Sequence, residues 1–141
     1  MQEYSFVKHT QVGKRFEERI TITRSNHIGF PTQFYKDNNV ADFKYTVLFF
    51  DKDNNAIGIK FTNEQEDGAI SIARHNKGYG GYISATSFFR ANRINTKKFA
   101  NRYEYKKVTL SDVGFEEAGV LFVIELREKQ GKEEANDENI S

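Results

Sequence analysis

The sequence lacks cysteine and tryptophan, and it contains a single proline, Pro31. Without cysteine the chain can form no disulfide, no thiolate metal site and no cysteine nucleophile. No run of about 18 apolar residues occurs, so the sequence predicts no transmembrane helix. The first ten residues have no apolar stretch behind their charges, which is not the pattern of a secretory signal. These absences lead us to expect a cytoplasmic protein with no membrane partner.

Signatures of catalysis and of metal binding are also missing. The glycine-rich segment 77–82 has the spacing of neither a dinucleotide-binding fingerprint nor a phosphate-binding loop. The three histidines, His9, His27 and His75, show no spacing typical of a metal site. Residues 51–55 resemble the start of a calcium loop but lack its later glycine and glutamate. We therefore predict a protein that is not an enzyme and that uses no cofactor and no metal ion.

Positive charge is concentrated in one block of the chain. The net charge of the whole sequence is only +1, yet residues 69–108 contain nine Lys or Arg and a single acidic residue, Glu104. Residues 109–141 contain nine acidic residues and three basic ones. A block of one sign attracts polyanions, which favours nucleic acid as the partner. The alternative is that the acidic C-terminal segment neutralises the basic block.

Two segments with a similar pattern account for most of the chain. The first begins with ITITRSN at residues 20–26, and the second begins with ISIARHN at residues 70–76. Both alternate apolar and polar residues and then reach an asparagine, as half-buried strands followed by a turn do. Each continues with a second short strand, a short helix and further strands. The sequence therefore indicates an internal repeat.

The helix of each repeat carries the pattern of a phenylalanine, another aromatic residue, two variable positions and an asparagine. Phe34 and Asn38 are four residues apart, as are Phe88 and Asn92, so each pair spans one helical turn. We expect a helix of about two turns in each repeat, ending at the asparagine. The aromatic residues expected in the core are Phe34, Phe49, Phe88, Phe122 and Tyr82.

These patterns predict a mostly β (α+β) fold with two tandem ββαββ-like repeats, related by a pseudo-twofold axis and sharing one core. The last strand, at residues 119–126, is apolar on both faces, so we expect it in the centre of a sheet. The predicted organisation is an N-terminal arm at residues 1–19, a first repeat at 20–62, a linker at 63–69, a second repeat at 70–126 and an acidic, disordered tail at 127–141.

The first repeat resembles the AbrB/SpoVT-type swapped-hairpin family of bacterial and archaeal DNA-binding proteins. The resemblance covers residues 20–61 and rests on the strand ending at Arg24, the Ile-Gly-Phe-Pro step at 28–31, the helix from Thr32 and the hairpin around 51–55. It implies two units intertwined in a swapped-hairpin barrel, which a tandem copy in one chain, as in the MraZ-like branch, would build alone. It also implies DNA binding, with the end of the first strand facing nucleic acid and transcription regulation as a role.

Candidate nucleic-acid-binding residues follow from charge, aromatic character and the repeat. Arg24 and Arg74 end the equivalent first strands, where a guanidinium can reach a phosphate or a base edge, or else pair with a nearby acid. Tyr79 can stack on an exposed base, or it can belong to a plain hairpin tip. The predicted binding residues are Arg24, Asn26, His27, Arg74, His75, Lys77, Tyr79, Arg90, Arg93, Lys97, Lys98, Arg102 and Lys106.

Residues 102–108 are expected to form one strand, on which Arg102 and Lys106 share a face. Together with the other basic residues of the second repeat they predict a binding surface for nucleic acid, with DNA expected rather than RNA. One alternative is a binder of single-stranded DNA or RNA that uses aromatic stacking. Another is a non-enzymatic protein-interaction or structural module, and the sequence also leaves a homodimer open.

Overall fold

The computed structural model describes residues 19–75 and 79–128. The predicted N-terminal arm up to residue 18, Lys77 and the tail beyond residue 128 lie outside the described residues. In chain order the elements are β1 (Ile20–Ile22), β2 (His27–Phe30), α1 (Thr32–Asp37), β3 (Tyr45–Asp51), β4 (Ala56–Thr62), β5 (Ile70–Ser71), β6 (Ala73–Arg74), β7 (Gly81–Ser84), α2 (Thr86–Ala91), α3 (Thr96–Phe99), β8 (Asn101–Tyr103), β9 (Lys106–Thr109) and β10 (Val120–Glu125), with short 3-10 turns at Val40–Asp42 and Ser111–Val113.

The strands form two five-stranded sheets in which neighbouring strands are antiparallel. Sheet A has the order β6-β7-β2-β1-β8, and sheet B has the order β5-β3-β4-β10-β9. The chain passes from sheet A to sheet B through α1, between β2 and β3. It returns to sheet A at Ile72, between β5 and β6, and passes to sheet B again at residues 104–105, between β8 and β9. The prediction of a mostly β fold with short helices is confirmed, and so is the interior position of β10 between β4 and β9.

The core lies between the inner faces of the two sheets. Along β1, Ile20 and Ile22 are buried while Thr21 between them is half-buried on the other side. Along β2, Ile28 and Phe30 are buried in the same way. This alternation follows from the pleat of a strand, which turns successive side chains to opposite faces. The apolar–polar alternation in the sequence therefore determines which side chains of β1 and β2 face the core and which face outward.

Aromatic side chains fill much of this core. The ring of Phe34 lies 4.9 Å from that of Tyr105 and 5.1 Å from that of Phe122, measured between ring centroids. The core positions predicted for Phe34 and Phe122 are confirmed, whereas Phe88 is only half-buried against the core and its neighbour Phe89 is the buried residue of α2. Phe49 differs, because it lies outside the main core cluster and packs against Phe115 at 5.0 Å.

The two predicted helices are present and end where expected. Asn38 follows α1 and its Nδ2 donates to the carbonyl oxygen of Phe34 at 3.0 Å, and Asn92 makes the same bond to Phe88 at 2.9 Å. A third helix, α3, was not predicted. In the described part of the chain, no helix is long and apolar enough to cross a bilayer.

The single strand predicted at residues 102–108 is wrong. Arg102 lies in β8 of sheet A, whereas Lys106 lies in β9 of sheet B, so the two side chains do not share a strand face. The chain bends between them because Tyr105 turns into the core against Phe34. Lys106 instead approaches Glu125 of the neighbouring strand, with 3.6 Å between its Nζ and the carboxylate Oε1.

Candidate nucleic-acid interface

One row of residues crosses the outer face of sheet A, the face turned away from the core. Thr21 is paired with Arg102 on one side and with Gly29 on the other, and Gly29 is in turn paired with Tyr82. Tyr82 is paired with Ala73 on the edge strand β6. Because directly paired residues share a face, this row presents an arginine at one end and a tyrosine ring near the other.

Three rings lie next to one another on this face, and we call them the aromatic row: His27, Tyr82 and His75. The His27 and Tyr82 ring centroids are 4.9 Å apart with an interplanar angle of 31°. The His75 ring lies on the other flank of Tyr82, at 5.6 Å and 36°. The predicted core position of Tyr82 is therefore wrong. Ile83 takes the core position in β7, and the alternation of the strand turns Tyr82 outward.

The surface beside the Tyr82 ring is low because Gly29 lies directly across from it. A Cβ atom placed at Gly29 would meet only Thr21, at 3.6 Å or beyond. No side chain therefore rises from this position between Thr21 and Tyr82. The middle of the outer row is a shallow depression between the ring of Tyr82 and the side chain of Arg102.

The turn between β1 and β2 brings basic residues to the end of sheet A where His27 lies. Asn26 has a positive φ of 68°, and its Oδ1 accepts a hydrogen bond from the Thr96 hydroxyl at 2.7 Å. The same hydroxyl lies 3.3 Å from the carbonyl oxygen of Arg24. Thr96 begins α3, so the exposed residues Arg24, Lys97 and Lys98 lie close together in the fold. Asn26 itself shapes the turn.

Arg74 does not join this group. Its guanidinium donates to the hydroxyl of Tyr35 and to the carbonyl oxygens of Val40 and Phe43. It also lies 5.7 Å from the centroid of the Tyr35 ring. These contacts hold the side chain against α1 and the turn that follows it. The symmetric pair of binding arginines predicted from the repeat is therefore not formed.

The other predicted residues are exposed at scattered places. Arg90 lies in the last turn of α2, and Arg93 follows that helix with a positive φ of 55°. Tyr79 has 61% of its surface exposed, and its carbonyl oxygen accepts a hydrogen bond from the Thr32 hydroxyl at 2.9 Å. Tyr79 precedes Gly80, whose carbonyl oxygen accepts a hydrogen bond from the backbone N–H of His75, and Arg102 belongs to the outer row.

The loop that carries Tyr79 needs glycine at its next position. Gly80 has a φ of +101°, and a Cβ atom there would lie 2.5 Å from the carbonyl oxygen of Phe30. The loop is therefore pressed against the end of β2, as the bond from Thr32 to Tyr79 also indicates. Glycine permits both the left-handed backbone and the close approach.

Gly80→Ala is expected to destabilise the fold by more than Gly114→Ala. Gly114 has a similar φ of +96° but open space around its Cβ position, so it isolates the cost of the backbone conformation, about 1–2 kcal/mol. The clash at Gly80 should add at least about 1 kcal/mol to that cost. Urea unfolding followed by circular dichroism measures both variants. Equal losses in the two would show that the contact with Phe30 does not constrain the loop.

The charged side chains on the strands of sheet A are all basic. Among the residues that the structure assigns to its five strands, none is acidic. Burial raises the pKa of the Tyr103 hydroxyl on the core side of β8, and in sheet B the Asn54 side chain and N–H lower the pKa of Asp51. Within residues 19–75 and 79–128, no group of three or more His, Asp or Glu side chains could hold a metal ion.

A cavity of about 530 Å³ is lined by residues at the end of α1, in β4 and β9, and in the connection between β9 and β10. Its lining does not suit a polyanion, because acidic residues outnumber basic ones. The charged lining residues are Asp37, Asp42, Glu64, Glu66, Glu117, Lys60 and Lys107. The outer face of sheet A is therefore the better candidate for binding phosphate groups.

Comparison with protein-family models finds no match, and no curated protein or solved structure matches the chain. The resemblance to the swapped-hairpin family stays a prediction from residues 20–61. The function is therefore inferred from this chain's own residues and their arrangement.

Proposed function

We propose that this protein binds nucleic acid, with DNA as the expected ligand, through the outer face of sheet A and the basic residues at its end. The observation that carries the proposal is the composition of that face. It combines Arg102 and the aromatic row with the exposed cations Arg24, Lys97 and Lys98, and the strands beneath them contain no acidic residue. Cations supply most of the affinity for a phosphate backbone, and rings add contacts to bases.

We also propose that the fold is a tandem duplication arranged as a pseudo-twofold swapped-hairpin barrel. The pairing of equivalent strands supports this. The second strands of the two repeats, β2 and β7, pair with each other, as do the final strands β4 and β10. The first strand of each repeat pairs with the third strand of the other, β1 with β8 and β5 with β3. The chain segments that run from β5 to β6 and from β8 to β9 would join the two sheets and so close the barrel.

Local geometry at equivalent positions supports the same proposal. Asn39 and Arg93 follow the equivalent helices and share a left-handed backbone, with φ values of 54° and 55°. The capping bonds of Asn38 and Asn92 are also alike. A barrel of this kind is what the resemblance to the AbrB/SpoVT-type family implies, and a DNA-binding role in transcription regulation would fit it. The protein would then act by binding and not by catalysis.

A matched pair of triple variants tests the proposal. Arg24→Ala/Lys97→Ala/Lys98→Ala removes the cations at the end of sheet A, and Lys36→Ala/Lys44→Ala/Lys52→Ala removes three other cations. Fluorescence anisotropy with labelled DNA, over a series of salt concentrations, measures binding. The first triple is expected to weaken binding by at least about tenfold and to reduce the salt slope by about 0.9 for each phosphate that the protein no longer neutralises, whereas the second changes it little.

Two results would contradict the proposal. One is the absence of binding to both duplex and single-stranded DNA at low salt. The other is an equal loss in the two triple variants, which would mean that affinity follows net charge and not the candidate face.

A further inference from the structure

We infer that the ligand of the outer face is a single-stranded nucleic acid, whose bases stack on Tyr82 and its two flanking histidines. This inference rests on the proposed function and narrows it. It is carried by the position of the aromatic row, in which His27 and His75 lie 4.9 Å and 5.6 Å from the ring of Tyr82. Ring stacking is tolerant of sequence because every base has a π face.

The three rings run diagonally across neighbouring strands, from the end of the edge strand β6 over β7 to β2. His75 lies at one end, where its backbone N–H donates to the carbonyl oxygen of Gly80 at 2.9 Å. Tyr82 lies in the middle, and His27 lies at the other end, paired with Ser84. A line of this kind can meet successive unpaired bases, and the shallow depression at Gly29 leaves room for a base beside the ring of Tyr82.

Positive charge lies where the backbone of such a strand would run. Arg102 is on the outer row, across Thr21 and Gly29 from Tyr82. Arg24 and Lys97 lie at the His27 end of the aromatic row. In single-strand binding the bases usually stack on aromatic rings while the phosphates lie beside cations.

The same face is poorly shaped for reading a duplex. Five strands spaced about 4.8 Å apart make a surface about 19 Å wide, whereas the major groove of B-DNA is about 12 Å wide and admits a helix or a two-stranded ribbon. The helices are short, with six residues in α1 and in α2, and both bury part of their surface in the core. In a duplex the base faces are stacked on one another and are not available to Tyr82.

The absence of tryptophan from the whole sequence gives a direct test. Tyr82→Trp introduces a single tryptophan on the outer face, and Tyr45→Trp introduces one in sheet B as the matched control. A single-stranded oligonucleotide is expected to quench the tryptophan emission of the Tyr82→Trp protein by stacking and to leave that of the Tyr45→Trp protein unchanged. Heparin, a polyanion without bases, should bind without quenching. The measurements use the full chain at low salt.

Truncation of the ring provides the second measurement. Tyr82→Ala is expected to weaken single-strand binding by about tenfold, while Tyr82→Phe, which keeps the ring, stays within about twofold of the unaltered protein. The duplex of the same sequence should bind more weakly than the single strand. Circular dichroism checks folding, and if Tyr82→Ala is unfolded then the tryptophan and phenylalanine variants decide the matter.

The two proposals fail in different ways. Tighter binding of the duplex, without quenching of Tyr82→Trp, would overturn the single-strand inference and leave nucleic-acid binding standing. Unchanged affinity of a folded Tyr82→Ala protein for the single strand would do the same. No anisotropy change with any nucleic acid would overturn the proposed function itself.

Discussion

Replacing Phe34 with alanine is expected to lower the free energy of unfolding by about 3–5 kcal/mol. Phe34 is 0% exposed, and it projects from α1 into the core. Its ring packs against those of four other residues: Phe30, Phe61, Tyr105 and Phe122. Removing the ring loses the free energy of its transfer from water and leaves a cavity that these neighbours can fill only in part. Urea unfolding followed by circular dichroism measures the loss.

Phe115→Ala is the matched control for this prediction. Phe115 is only half-buried, and it packs against Phe49 outside the main core cluster. Its truncation is expected to lower the free energy of unfolding by about 1–2 kcal/mol, because folding buries less apolar area at that site. If Phe115→Ala proved as costly as Phe34→Ala, the centre of the core would lie under the β9–β10 connection and not at α1.

Phe34 also shows what the sequence could and could not predict about the fold. The alternation that predicts β1, β2 and β7 is local, so it could be found without knowing the rest of the chain. The bend at residues 104–105 could not be found in this way. It depends on Tyr105 packing against Phe34, which lies far away in the sequence. The stretch around the bend alternates as a continuous strand would.

The candidate face was predictable in part. Charge and the repeat pointed to Arg24, His27, His75 and Arg102, and these residues lie on or beside the outer face of sheet A. Tyr82 was assigned to the core because it is aromatic, although its alternation with Ile83 indicated the opposite face.

The position of Arg74 illustrates the complementary limit. Its bonding partners lie 31 to 39 residues earlier in the chain. No local pattern reveals that its guanidinium, although exposed, is bonded to the Tyr35 hydroxyl and to two backbone carbonyl oxygens. Positions that match in the two similar sequence segments can therefore differ in their tertiary contacts. For this reason the functional proposal depends more on Arg24, at the β1–β2 turn, than on Arg74 of β6.

An ion-pair network centred on Lys60 supplies the second large expected effect. The Lys60 side chain is 8% exposed, and its Nζ lies 2.9 Å from Glu66 Oε1 and 3.0 Å from Glu117 Oε1. Burial by itself lowers the pKa of Lys60, but the bonds to Glu66 and Glu117 outweigh burial and raise it. The ammonium therefore stays charged at neutral pH. It connects the linker after β4 to the connection between β9 and β10.

Glu66→Gln/Glu117→Gln is expected to lower the free energy of unfolding by about 2–3 kcal/mol, because it leaves a buried ammonium without a counter-charge. The loss should be smaller than for a fully buried pair, since Glu117 is 51% exposed. In a Lys60→Met background the same double substitution should cost no more than about 0.5 kcal/mol, and this non-additivity measures the coupling. Urea unfolding of the four proteins gives the cycle. Equal losses in both backgrounds would mean that Lys60 and the two glutamates do not stabilise one another.

The pH dependence of the same cycle has a definite sign. A lysine whose pKa is raised by folding contributes stability that is fully present below its ordinary pKa of 10.5 and is lost as the pH rises through the folded value. The unaltered protein should therefore lose this stability above about pH 10.5, and Lys60→Met should lose less over the same range. Because Lys60 lies in sheet B, binding of nucleic acid to sheet A at neutral pH should stay unchanged in Lys60→Met. A loss of binding in that folded variant would indicate that the interface lies on sheet B and not on sheet A.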